Sequence, residues 1–172
     1  MATAWRADAQ HIPAPQAVTR PLHVLVVEDN PDCALSLTML LTISHFKVDL
    51  VTTGPAALEF VQAFSPDVAL MDIGLPGLDG YEVARRLRDL PVKKPLLIAL
   101  TGYGQASDLL RSREEGFAYH FVKPADPLEL VALLNDYARS IDLTDTVATG
   151  PARMKWKPEM PGTPVVYSRP PS

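Results

Sequence analysis

Five short apolar runs recur along the middle of the chain: HVLVV (23–27), KVDLV (47–51), DVALM (67–71), PLLIAL (95–100) and YHFV (119–122). Most are apolar throughout rather than alternating, the pattern of parallel strands covered on both faces. The segments between them carry helix punctuation. Asn30-Pro31 supplies a cap and a first-turn proline ahead of CALSLTMLLTIS. Gly54-Pro55 opens AALEFVQAF and Ser65-Pro66 closes it, while Asp79-Gly80 opens YEVARRLRDL and Pro91 stops it. GQASDLLRSREEG, the most polar of these segments, ends on Gly116, a C-terminal glycine. Asp126-Pro127-Leu128-Glu129 is a capping-box sequence ahead of LVALLNDYARS. Five strands alternating with five helices predict right-handed crossovers, with helices on both faces of a parallel sheet.

This pattern occupies residues 22–140 and leaves two extensions. Residues 1–21 form an Ala-rich leader punctuated by Pro13, Pro15 and Pro21, read as flexible. Residues 141–172 are Pro-rich, with Pro151, Pro158, Pro161, Pro164, Pro170 and Pro171, and are expected to be disordered. The tail is locally basic through Arg153, Lys155, Lys157 and Arg169, and Trp156 and Val165-Val166-Tyr167 offer apolar anchors. A linear motif or an intramolecular cover is the alternative reading of that tail. No DNA-binding output domain is expected beside the folded part, and action through protein contacts is expected.

Composition narrows the class. The 172 residues are 47% hydrophobic, enough for a core, and the formal charge of −4 speaks against generalised nucleic-acid binding. The one cysteine, Cys33, excludes an internal disulfide and fits a reducing compartment as a small helix residue. MATAWRADAQ lacks the basic and apolar regions of a secretory signal, and no apolar run reaches the roughly 20 residues that cross a bilayer. A soluble, cytoplasmic protein with no membrane partner is predicted.

In doubly wound sheets, chemistry collects beyond the carboxyl ends of the strands. Strand one ends in Glu28-Asp29, strand three in Met71-Asp72, strand four in Leu100-Thr101 and strand five in Val122-Lys123. With sheet order 2-1-3-4-5, these tips stand side by side, and three carboxylates, a hydroxyl and an ammonium converge. Two carboxylates about 4 Å apart repel by roughly 4 kcal/mol at an effective dielectric of 20. A divalent cation reverses that sign, and an all-oxygen set suits Mg²⁺. Asp29 and Asp72 are the direct ligands expected, with Glu28 acting directly or through water and the Gly74 carbonyl as a further donor. The metal makes the central carboxylate, Asp72, a nucleophile toward phosphorus. Lys123 and Thr101 then neutralise and hydrogen-bond the phosphoryl oxygens.

The pieces VLVVEDN, DVALMDIGLPGLDGYEVARRLR, ALTGYG and FVKPAD, in that order and spacing, resemble a response-regulator receiver domain of two-component signalling. The resemblance covers about residues 22–140. It implies an α/β, flavodoxin-like (βα)5 doubly wound sheet of five parallel strands. It also implies Mg²⁺-dependent phosphorylation of Asp72 by a histidine kinase or a histidine phosphotransfer protein. Glu28 and Asp29 would hold the metal, Thr101 would report the phosphoryl group, Lys123 would pair with it, and Lys123-Pro124 would be cis. Downstream protein partners would dock on the 105–140 face. A stand-alone receiver and a phosphorelay module of a hybrid kinase both fit; such a chain accepts and slowly loses a phosphoryl group but is not a turnover enzyme. Two positions depart from the common pattern. His120 stands where receivers carry an aromatic switch residue, and Gly102 where they often have Ala, loosening the loop with Tyr103, which is expected to impede attacking water.

Competing readings are a pseudo-receiver that binds partners without phosphorylation and a haloacid-dehalogenase-like phosphohydrolase. Hydrolases of that kind place a second acid two residues after the nucleophile, where this chain has Gly74. The intact acidic set counts against the pseudo-receiver. LPGLDG reads as a structural turn.

Overall fold

The computed structural model describes residues 20–102, 106–146 and 165–166. Five parallel strands alternate with helices: β1 His23–Val27, α1 Pro31–Ile43, β2 Lys47–Val51, α2 Gly54–Phe64, β3 Val68–Asp72, α3 Gly80–Asp89, β4 Leu96–Thr101, α4 Ala106–Glu114, β5 Tyr119–Val122 and α5 Pro127–Thr146. The order β2-β1-β3-β4-β5 is the one expected, and the architecture is flavodoxin-like. A short antiparallel strand, β6 (Val165–Val166), is added outside β5.

The continuous apolar runs are explained by two cores, one on each sheet face. Leu25, Val27, Ala69, Met71 and Ala99 point toward Ala57 and Val61 of α2 and Val83, Ala84 and Leu87 of α3. Their strand neighbours Val24, Val26, Val68, Leu70, Ile98 and Leu100 face Leu41 of α1 and Leu130 and Leu134 of α5. Successive residues of one strand thus enter different cores, which removes the alternation that a half-exposed strand would show. Each Leu, Ile or Val side chain buried this way stabilises by roughly 1.5–3 kcal/mol relative to exposure. β2, on the sheet edge, has no fully buried residue.

Capping follows the sequence signals. Asn30 Oδ1 accepts from the N–H groups of Asp32 and Cys33, Asp79 Oδ1 from Glu82 N, and Asp126 Oδ1 from Leu128 N and Glu129 N. Thr53, rather than Gly54, caps α2; Gly54 is the first helical residue, and a Cβ there would lie 2.7 Å from Leu78 O. Gly80 is more constrained still. Its ideal Cβ would lie 2.6 Å from Asp72 O, so α3 starts hard against the end of β3.

Two features differ from the sequence reading at the chain's end. α5 continues to Thr146, beyond residue 140, and Val165–Val166 form a strand within the Pro-rich tail. Two β-branched residues next to an open sheet edge have a ladder to join that sequence periodicity cannot reveal. The leader up to residue 19, Tyr103 and most of the tail lie outside the described residues.

Candidate functional site

β1 and β3 are neighbours in register, Val27 opposite Met71, so Glu28 and Asp72 emerge from adjacent strand ends. Asp29 follows directly. One carboxylate oxygen from each of Glu28, Asp29 and Asp72 lies within 4.8 Å of the others. Glu28 is fully buried, Asp72 buried and Asp29 exposed, so the group is open to solvent on one side.

The positive member arrives from β5. Lys123 follows Val122, which pairs with Thr101, and Lys123-Pro124 is cis. Its Nζ lies 2.6 Å from Glu28 Oε2 and 2.9 Å from Asp72 Oδ2. Burial alone would pull the lysine pKa down; the bonds to Glu28 and Asp72 outweigh it and the net shift is upward. Lys123 therefore stays charged throughout the neutral range. Three carboxylates facing one ammonium leave a formal charge of −2 among these four side chains, with oxygen as the donor atom throughout. That set fits a hard divalent cation of the Mg²⁺ type.

Backbone groups complete the setting. Gly74 N donates to Asp72 Oδ1 at 2.9 Å, fixing the carboxylate plane. A Cβ on Gly74 would come within 3.6 Å of the same oxygen, so glycine keeps that side of Asp72 uncovered. Thr101 ends β4 with its side chain buried, and its carbonyl accepts from Lys123 N at 2.7 Å. Thr101 and Lys123 are thus tied through the main chain. Beside the acids a cleft of about 580 Å³ opens between α1 and the β5–α5 turn, lined by Asp32, Cys33, Leu40, Pro124, Pro127 and Leu130.

His120 bonds to α4. It is buried, and its Nδ1 lies 2.8 Å from Ser112 Oγ of α4; Ser112 Oγ is in turn 3.3 Å from the hydroxyl of Tyr81 on α3. Arg111 lies over the Tyr81 ring, 4.1 Å from its centroid. Sequence reasoning marked His120 but missed Ser112, the sole buried residue of α4. Its only signal is a small hydroxyl in a strongly polar helix, which is too common to single out.

An acid-lined pocket of this kind, beyond the strand ends of a doubly wound sheet, suits a receiver-type signalling module. The sequence profile of the response regulator receiver domain matches residues 24–135, and the chain belongs to that family. An uncharacterized 14.6 kDa protein of Leptolyngbya boryana is 33% identical over 117 residues, covering 67% of this chain and 89% of that protein. The transcriptional regulatory protein TcrA of Mycobacterium tuberculosis is 36% identical over 69% of this chain, which spans 46% of TcrA; for the response regulator PleD of Caulobacter vibrioides the share is 26%. Among solved structures, the receiver domain of the sensor histidine kinase PA1611 of Pseudomonas aeruginosa is 30% identical with a TM-score of 0.65. It covers 70% of this chain and 99% of its own, and holds a magnesium ion in its active-site cleft. The chain is thus a two-component signalling domain, and no helix among the described residues is long and apolar enough to cross a membrane.

Proposed function

We propose that the chain is a phosphoacceptor that takes a phosphoryl group on Asp72 and relays its presence through protein contacts. The observation that carries this reading is the Glu28–Asp29–Asp72 cluster with Lys123 Nζ 2.9 Å from Asp72. The donor is the phosphohistidine of a histidine kinase or phosphotransfer protein in the cytoplasm. An Asp72 carboxylate oxygen forms the new P–O bond as the P–N bond breaks, and the imidazole nitrogen keeps the electron pair. Glu28 and Asp29, with Asp72 and the Gly74 carbonyl, would hold a Mg²⁺ ion. When bound, that ion supplies neutralising charge for the phosphoryl oxygens and opposes the repulsion of the donor.

The chain's own residues do the rest. Gly74 N–H orients Asp72, Lys123 places an ammonium beside the oxygen that receives charge, and Thr101 offers a hydroxyl to the phosphoryl group. A pull on Thr101 or Lys123 is felt along β4 and β5, two and three residues respectively from the Ala99–His120 pair. His120 and its Ser112 partner carry that displacement to α4 and the 105–140 face, where a downstream protein docks.

Intact-mass measurement after incubation with acetyl phosphate and Mg²⁺ tests the reading. Wild type gains one phosphoryl group; Asp72→Asn, or wild type with chelator, gains none. A folded wild type that stays unmodified would instead make the chain a binding module, and rapid turnover of many phosphoesters would make it a hydrolase.

A further inference from the structure

We infer that the outer edge of β5 is a strand-docking site and that its occupant is this chain's own Val165–Val166 segment, held in cis as a displaceable cover. The inference is independent of phosphoryl acceptance at Asp72. β5 is the last parallel strand, and without β6 its outer row of N–H and C=O groups faces outward. Val165 pairs with His120 and Val166 with Tyr119, antiparallel to a sheet that is otherwise parallel. An antiparallel addition needs no crossover helix, so a tail can make it.

Chain length permits the pairing. α5 has 20 residues and eighteen more separate Thr146 from Val165. Extended at about 3.3 Å per residue, that connection reaches roughly 60 Å, twice the ~30 Å length of a 20-residue helix. The connection is therefore long enough for Val165–Val166 to enter the edge from the opposite direction. Composition selects the segment. Val165-Val166-Tyr167 is its one run of β-formers, and Pro164 on one side with Pro170-Pro171 on the other cap how far a ladder can grow.

The same shortness makes the cover removable. A two-residue ladder offers few main-chain bonds, so an extended peptide from a partner, with more residues to pair, displaces it by strand exchange. The cover lies on Tyr119 and His120, and His120 is the residue bonded to Ser112 of α4. Occupation of the edge and the position of α4 are thus set at neighbouring atoms.

Disulfide trapping in the full chain tests this. In a Cys33→Ser background, Tyr119→Cys with Val166→Cys places two thiols on one face of an antiparallel pair, with Cα atoms about 4.5–5.5 Å apart, within disulfide range. Mild oxidation is expected to give a monomer with an internal disulfide. The pair Tyr119→Cys with Val165→Cys should close on the order of tenfold more slowly, because adjacent residues point to opposite faces. A disulfide-linked dimer would show that a second copy supplies the strand, and equal rates for the two pairs, or free thiols throughout, would mean no registered pairing; each overturns the proposal. Val165→Pro with Val166→Pro leaves β5 intact and provides the second measurement. Amide exchange within Tyr119–Val122 should quicken by about tenfold as the ladder is lost, and unchanged exchange would also overturn the proposal.

Discussion

Replacing Lys123 by Met removes one positive charge and little volume, and the geometry sets the size of the effect. The ammonium is 2.6 Å from a carboxylate with no exposed surface, Glu28, and 2.9 Å from Asp72. Without it, carboxylates whose oxygens lie within 4.8 Å of each other have no counter-charge in the cluster. At an effective dielectric of 20 that separation corresponds to about 3.5 kcal/mol of repulsion. Breaking a buried pair typically costs 3–5 kcal/mol, but Lys123 is 26% exposed and water enters where it stood. A loss of about 2–3 kcal/mol in metal-free buffer is the expected result, read as a lower urea midpoint at unchanged slope. Mg²⁺ should reverse much of it. In wild type the incoming ion competes with Lys123 for Glu28, whereas in the variant it meets uncompensated acids. The variant should bind Mg²⁺ about tenfold more tightly, and the stability gap should narrow by about 1.4 kcal/mol when the ion saturates both proteins. Equal urea midpoints for the two proteins in chelator, or a gap that Mg²⁺ leaves untouched, would refute the electrostatic account.

Three further perturbations address other links. Asp67, at the opposite end of the sheet, is held by Arg20 at 2.6 and 2.7 Å, Lys93 at 3.2 Å and the backbone N–H of His23. Burial works to raise its pKa, but these partners outweigh it and bring the carboxyl down to about 2. A folded pKa below the unfolded one gives stability that is present above about pH 4 and lost as pH falls toward 2. Asp67→Asn should thus cost roughly 2 kcal/mol at pH 7, and the deficit should shrink by about 1 kcal/mol at pH 3; a pH-independent deficit in urea titrations would contradict this. Gly80→Ala drives a methyl into Asp72 O at 2.6 Å; it should destabilise by about 1–3 kcal/mol and slow phosphoryl uptake from acetyl phosphate, and wild-type behaviour in both would count against that contact. Ser112→Ala strips the buried Nδ1 of His120 of this partner, costing about 1–3 kcal/mol. It should speed amide exchange in α4 while leaving β1 and β3 protected, and unchanged exchange in α4 would remove Ser112 as its anchor.

The sheet was legible because its strands, buried on both faces, read as unbroken apolar runs, and because chemistry in such sheets sits at the strand ends. From that rule alone, Glu28, Asp29, Asp72 and Lys123 were expected together, and their oxygens and ammonium do converge. The pairing inside the cluster was not legible. Sequence reading set Lys123 against a phosphoryl group and Glu28 against a metal, and did not anticipate that the two also bond each other at 2.6 Å. Partner choice among converging side chains depends on rotamer and on the height of each strand end, which spacing does not encode. Ser112, Arg20 and Lys93 escaped notice for a related reason. Each meets its partner across segments separated in sequence, and no local period marks them.

The two ends of the sheet differ in how fully their strand-end acids are engaged. Asp67, just before β3, has both oxygens engaged by guanidinium and ammonium groups and by a main-chain N–H. Its lone pairs are committed and its carboxyl is held near pKa 2, which makes it a weak nucleophile. Asp72 ends the same strand five residues later with one N–H on Oδ1 and one shared ammonium near Oδ2. Lys123 divides its charge between Asp72 and Glu28, so the acidic cluster is undercompensated even when the lysine is in place. Such a deficit is costly for a fold that gains nothing from it, since a second cation like Lys93 would settle it. Its persistence at the strand ends fits a pocket in which the missing positive charge is brought by an ion and the remaining lone pairs of Asp72 are kept for phosphorus.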